Sequence, residues 1–174
     1  MGGPGIPIRL QNPLPLLNAR TLLNCSRIAW PPWPCCTFFS SAVRVVVHVD
    51  GGARGNPGPA AAAAVVSTPE GEVLDEAHEL LGVVTNNVAE YRGLLLGLDR
   101  ARALGADEVE VVNDSELIAK QVNGEYKVKH PDMKPLHAQA MAALREFDSW
   151  SIRSVPRAQN ADADALVNAA LDAS

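Results

Sequence analysis

Hydrophobic and polar positions fall into regular periods only from about Arg44 onward. Val45-Val46-Val47-His48-Val49 is β-branched almost throughout, which suits a central strand covered on both faces. Residues 51–59 are rich in Gly and Pro and read as a loop. Residues 60–66 and 72–81 read as second and third strands, and the short connections predict an antiparallel meander. Tyr91, Leu94, Leu95, Leu98 and Ala101 recur at helical spacing, which predicts a helix over 87–104 that stops at Gly105. The pattern continues with a strand at 108–113, helices at 115–122 and 135–147, a strand at 150–155 and a last helix at 161–171. The order β-β-β-α-β-α-α-β-α contains strand–helix–strand crossovers, which are right-handed and bring the following strand in parallel. The expectation is an α/β domain over residues 43–174: a mixed sheet with helices on its faces, and no internal repeat.

Residues 1–42 follow neither period. Pro4, Pro7, Pro13, Pro15, Pro31, Pro32 and Pro34 interrupt them, and proline at this density breaks both helix and strand. A disordered N-terminal extension is the expectation. The segment carries arginine and no acid, so an organelle-targeting peptide is the competing reading. Its apolar runs are broken by Pro, Asn or Arg, which is not the secretory pattern. Cys25, Cys35 and Cys36 are odd in number, clustered and without a nearby histidine, a poor basis for a disulfide framework or a zinc site. No apolar stretch approaches the ~20 residues that a membrane helix needs. A cytoplasmic monomer without a membrane partner is expected.

Charge narrows the function. Residues 50–174 carry eleven basic and all twenty acidic residues, a net of −9. Phosphate affinity normally rests on Lys and Arg. Any nucleic-acid chemistry here must therefore rely on a local site and on bound cations.

The acids supply such a site. Ligands of open α/β sheets gather at the carboxyl ends of parallel strands. Asp50 closes the first strand and Asp114 the fourth. Glu90 lies in the first turn of the long helix, at the margin of its apolar stripe. Asp164 lies in the last helix, two residues before Leu166, which is expected to be buried. Each has a local alternative: a turn start for Asp50, a helix N-cap for Asp114, a dipole partner for Glu90 and an ordinary exposed acid for Asp164. Together they describe a carboxylate cluster with no assigned base, which is unfavourable unless a cation neutralises it. Oxygen ligands point to Mg²⁺ or Mn²⁺ rather than zinc. Two such ions ~4 Å apart would activate a water and stabilise the leaving oxygen of a phosphodiester. The Gly-rich segment 51–58 lacks the Gly-Lys-Ser/Thr ending of a P-loop.

Four segments carry a family resemblance. Asp50-Gly51-Gly52-Ala53-Arg54-Gly55-Asn56-Pro57-Gly58-Pro59-Ala60, Thr85-Asn86-Asn87-Val88-Ala89-Glu90, Asn113-Asp114-Ser115 and Asn160-Ala161-Asp162-Ala163-Asp164-Ala165-Leu166-Val167-Asn168 resemble, in order and spacing over about 43–172, the motifs of type 1 ribonucleases H. The resemblance implies the ribonuclease H-like fold, a five-stranded mixed sheet of order 3-2-1-4-5 with helices on both faces. It implies that Asp50, Glu90, Asp114 and Asp164 are the catalytic set holding two Mg²⁺ (or Mn²⁺) ions, with Asp164 rather than Asp162 in the motif position. It implies that Asn56, Asn86 and Asn87 contact the minor groove of an RNA–DNA hybrid and Thr85 a DNA phosphate. Amides both donate and accept, which suits a groove of 2′-hydroxyls and base edges. The implied activity is metal-dependent endonucleolytic hydrolysis of the RNA strand.

Three departures stand out. Ser154 occupies the place where many members carry a histidine, with Arg157 nearby. Glu116 stands where Gln is common. The segment 123–129 is short where some relatives have a long basic handle, which resembles the compact bacterial and archaeal branch and leaves Lys127, Lys129 and Lys134. The alternatives are a non-catalytic module binding hybrid or double-stranded RNA, and another nuclease on the same fold.

Overall fold

In the computed structural model the described residues are 42–173. The expected disorder of 1–42, its targeting alternative and the cysteines fall outside them, residue 42 excepted. Five strands form one mixed sheet: β1 (Arg44–Ala53), β2 (Gly58–Ser67), β3 (Val73–Val84), β4 (Glu108–Asn113) and β5 (Ser149–Ser154), in the order β3-β2-β1-β4-β5. The first three are antiparallel, and β4 and β5 join in parallel, as the crossovers predicted. Helices α1 (Asn86–Ala103), α2 (Glu116–Val122), α3 (Met133–Leu144) and α4 (Ala161–Asp172) complete the fold, with a single 3₁₀ turn, Arg157–Gln159, before α4. None of the described helices is long and apolar enough to cross a membrane.

Alternation along β1 assigns its two faces. Val45, Val47 and Val49 are fully buried in a cluster with Tyr91, Leu94 and Leu98 of α1 and with Leu144 of α3. The other face of the sheet is covered by α4. There Ala61 and Ala63 meet Val167, Ala170 and Leu171. The five-alanine run of β2 is buried on both faces, because a methyl side chain leaves room for a helix on each side. Leu166, expected inside, is only half-buried, and Ala163 and Val167 take the core positions of α4.

Several boundaries differ from the periodic reading, β3 among them, which runs on to Val84. β1 runs through Gly51 and Gly52 to Ala53, so Asp50 does not begin a turn. The ladder with β2 continues to Ala53↔Ala60, and these extra pairs hold the Gly-rich stretch extended. α3 begins at Met133 and ends at Leu144 rather than spanning 135–147. Pro135 sits in its first turn, where a missing N–H costs nothing.

Candidate active site

The parallel ladder of β1 and β4 ends at Val49↔Asn113. Asp50 and Asp114 are each the next residue, so they lie side by side at the carboxyl edge of the sheet. This is the geometry expected for the two strand-end acids. Asp114 is not the N-cap of α2; Ser115 is, and the Asn113 Oδ1 accepts the Ser115 N–H at 2.7 Å.

Glu90 is brought over this edge by close approach of α1 to β1. A Cβ built on Gly51 would lie 2.2 Å from the carbonyl carbon of Ala89, and one on Gly93 would lie 2.4 Å from the Asp50 carbonyl oxygen. A Cβ on Gly97 would meet Val49 and Val47 at 2.6 and 2.7 Å. Three glycines thus let the helix backbone lie directly on the strand. The hydrophobic period predicted the helix and its inward face. The depth of contact is set by these glycines, a signal that the period does not carry.

Asp164 arrives from the opposite face. Asn160, fully buried before α4, donates its Nδ2 hydrogen to the Val49 carbonyl at 2.9 Å, and its Oδ1 lies 3.2 Å from His48 Nδ1. The start of α4 is thereby pinned one residue from Asp50. Asp162, on the same helix, is exposed and stands apart from the cleft.

Asp50, Glu90, Asp114 and Asp164 line one cleft of about 220 Å³, together with Asn86, Arg54, Arg157 and Asn168. Among the described residues, no three acidic, His or Cys side chains are drawn into a ready-made chelate. The acids approach from four separate elements and repel one another. The Glu90 Oε2 and Asp114 Oδ1 are buried and have no hydrogen-bond partner. Buried carboxylate oxygens without donors are costly, and a divalent cation is the partner that matches them.

Electrostatics record the same crowding. Burial, then the neighbouring Asp114 and Asp50, push Glu90 up to about 8. Burial, then Asp114, push Asp50 up to about 6. A raised acid keeps its proton in the fold where the unfolded chain has lost it. Its contribution is therefore present below the unfolded pKa and is lost as pH rises through the folded value. In chelator, the melting temperature should fall steadily between pH 5 and 8, and Glu90→Gln should flatten the upper part of that fall. Thermal denaturation across this range checks it; an unchanged profile in the variant would remove Glu90 as the cause.

The amide candidates divide into two kinds. Asn86 is half-buried and committed: its Oδ1 accepts the Ala53 N–H at 3.2 Å and its Nδ2 donates to Glu90 Oε1 at 3.2 Å. It ties the Gly-rich strand end to the helix acid, a role that the sequence did not disclose. Asn56 is exposed, and its Oδ1 accepts the Asn86 backbone N–H at 3.4 Å. Asn87 is exposed, and Thr85, half-buried, is the N-cap of α1 without a side-chain cap bond. Asn86 itself is the first helical residue rather than the cap. Glu116 points into solvent and pairs with Lys120 at 2.5 Å. Ser154 is exposed at the end of β5 and is absent from the cleft lining.

The reverse transcriptase-like family matches residues 48–170, which contain all four acids of the cleft. The ribonuclease H1 structure of Halobacterium salinarum superposes with a TM-score of 0.74 at 43% identity, over 75% of this chain and 99% of that one. The chain belongs to the type 1 ribonuclease H family. This ribonuclease H domain is also 51% identical over 132 residues to the bifunctional protein Rv2228c of Mycobacterium tuberculosis. The solved N-terminal RNase H domain of that protein has a TM-score of 0.74, over 76% of this chain and 96% of that one. LC11-RNase H1, solved in complex with an RNA/DNA hybrid, is 42% identical with a TM-score of 0.70, over 74% of this chain and 96% of that one. The chain spans about a third (36%) of the length of the curated mycobacterial relatives and 65% of the halobacterial one.

Proposed function

We propose that this ribonuclease H domain hydrolyses the RNA strand of RNA–DNA hybrids, with Asp50, Glu90, Asp114 and Asp164 holding two Mg²⁺ or Mn²⁺ ions. The observation that carries the proposal is the four-carboxylate cleft with its unpartnered buried oxygens. Bound there, the ions supply charge for an activated water and for the leaving oxygen of an in-line displacement. Asp50 sits centrally, with Asp114 beside it, Glu90 above it and Asp164 across from it. Asn86 holds Glu90 in place. Asn56, Asn86, Asn87 and Thr85, beside this edge, are the candidates for meeting the hybrid, and LC11-RNase H1 shows a relative engaging that substrate. Incubation with labelled hybrid, DNA duplex and RNA duplex, in Mg²⁺ or EDTA, is the test. Cleavage confined to the RNA of the hybrid and abolished by EDTA is expected; binding without cleavage, or equal cutting of DNA duplex, would refute the proposal.

The charge census supports a reading of how the substrate is held. Among the described residues every arginine except Arg145 is in an ion pair, as is Lys120. Lys127, Lys129 and Lys134 are in none, so few cations are free to neutralise phosphates. Each neutralised phosphate contributes a log–log salt slope of about −0.9 on duplex DNA, so binding should show a shallow slope of about −2 to −4. Titration of labelled hybrid in EDTA at several salt concentrations measures it. A much steeper slope would reveal a basic surface outside the described residues.

A further inference from the structure

Arg157 stands in the cleft among the acids. Its Nε donates to Asp164 Oδ1 at 3.1 Å, and its Nη2 donates to the same oxygen. The other oxygen, Oδ2, accepts from Asn168 Nδ2 at 3.2 Å. Asp164 is thus fully engaged, whereas Glu90 Oε2 and Asp114 Oδ1, in the same cleft, are bare. The cleft has two unlike halves. Glu90 and Asp114, beside Asp50, form a half with open acceptor oxygens and no ion pair. Asp164 forms a half whose charge is already met by a guanidinium.

Local structure explains how Arg157 comes to be there. It opens the single 3₁₀ turn between β5 and α4. Asn160, three residues on, is anchored to Val49, so the turn cannot drift from the sheet edge. The Arg157 side chain is nevertheless 71% exposed, against 26% for Asp164. An exposed pair is held weakly in water, so the guanidinium can swing aside at little cost. Its charge also acts on Asp50 and Asp114, so its presence is felt across the cleft.

We infer that Arg157 is the resident counter-ion of Asp164, competing with a divalent cation for that carboxylate and making the Asp164 half the weaker of the two. This rests on the metal-dependent reading above. Until a cation arrives, Arg157 screens the four acids from one another; when one arrives, Arg157 must release Asp164. Metal uptake at this half is therefore an exchange of one cation for another.

Calorimetric titration of the full chain with Mg²⁺ alone, without nucleic acid, tests this in wild type, Arg157→Gln and Arg157→Lys. Removal of the charge should tighten uptake by a few-fold, the scale of an exposed ion pair of about 0.2–1 kcal/mol, and Arg157→Lys should stay near wild type. In an Asp164→Asn background the Arg157→Gln change should have a much smaller effect on uptake, since the competed carboxylate is gone and only the longer-range action on Asp50 and Asp114 is left. Thermal melts add a second readout. Arg157→Gln should melt below wild type in EDTA, where the acids lose their screen, and this gap should close or reverse in saturating Mg²⁺. Normal Mg²⁺ uptake by wild type with equal or weaker uptake by Arg157→Gln would overturn the counter-ion assignment alone. A wild-type protein that takes up no Mg²⁺ would overturn the metal-dependent reading with it.

Discussion

Asp50→Asn is expected to lose hybrid cleavage by at least about a thousandfold, because metal-held charge stabilisation is worth several kcal/mol in the transition state. Asp50 is 5% exposed and adjoins Asp114, and both facts raise the cost of its charge in the fold. Asparagine keeps the shape and removes that charge. The variant should therefore fold normally and, in EDTA at pH 7.5, melt above wild type. At that pH Asp50 is ionised even with its pKa raised to about 6, so the penalty being relieved is present. Added Mg²⁺ should raise the wild-type melting temperature and leave the variant nearly unmoved. Activity assays and melts with and without Mg²⁺ check both halves. Substantial Mg²⁺-dependent cleavage by Asp50→Asn would remove Asp50 from the catalytic set, and a variant that melts lower in EDTA would show that its carboxylate is structurally required.

Gly51→Ala should be the most disruptive small substitution at the site. The added methyl would lie 2.2 Å from the Ala89 carbonyl carbon and oxygen and 2.4 Å from the Glu90 nitrogen. All three are backbone atoms, so no side chain can turn away and α1 itself must move. Overpacking of this kind typically costs about 1–3 kcal/mol. The same displacement carries Glu90 away from Asp50, so the folded fraction should also cleave poorly. Gly52→Ala is the matched control: its methyl would meet only a Val167 methyl, at 3.1 Å. That contact can yield, and α1 is not involved. Denaturant unfolding together with cleavage per folded molecule separates the two effects. Wild-type stability in Gly51→Ala would mean that α1 does not rest on β1 as closely as described.

Much of this molecule was legible before its structure. Local patterns carry local information well. The β-branched run at 45–49 gave a central strand, buried at Val45, Val47 and Val49 and half-buried at Val46 and His48, and the period of Tyr91, Leu94 and Leu98 gave α1. Asp50 and Asp114 were legible as strand-end acids, and the family resemblance implied that their strands are neighbours; β1 and β4 are parallel neighbours, so their carboxyl ends coincide. The boundaries that were missed share a cause. β1 extends to Ala53 because β2 pairs with it, and that pairing is a long-range bond between segments whose own composition favours turns.

The sequence by itself determined the order of elements, since periodicity belongs to each segment alone; its motifs, through the family they resemble, implied the strand order 3-2-1-4-5 and the four candidate acids. Tertiary structure decided the rest. Whether Gly51, Gly93 and Gly97 are turn formers or a helix rest depends on what lies opposite them. Whether Asn86 faces solvent or clamps Glu90 to Ala53 depends on two elements meeting. Whether Arg157 is a surface charge or the partner of Asp164 depends on Asn160 pinning its turn to β1. In each case the chemistry of one residue is set by a neighbour far along the chain, and only the folded backbone brings that neighbour within bonding distance.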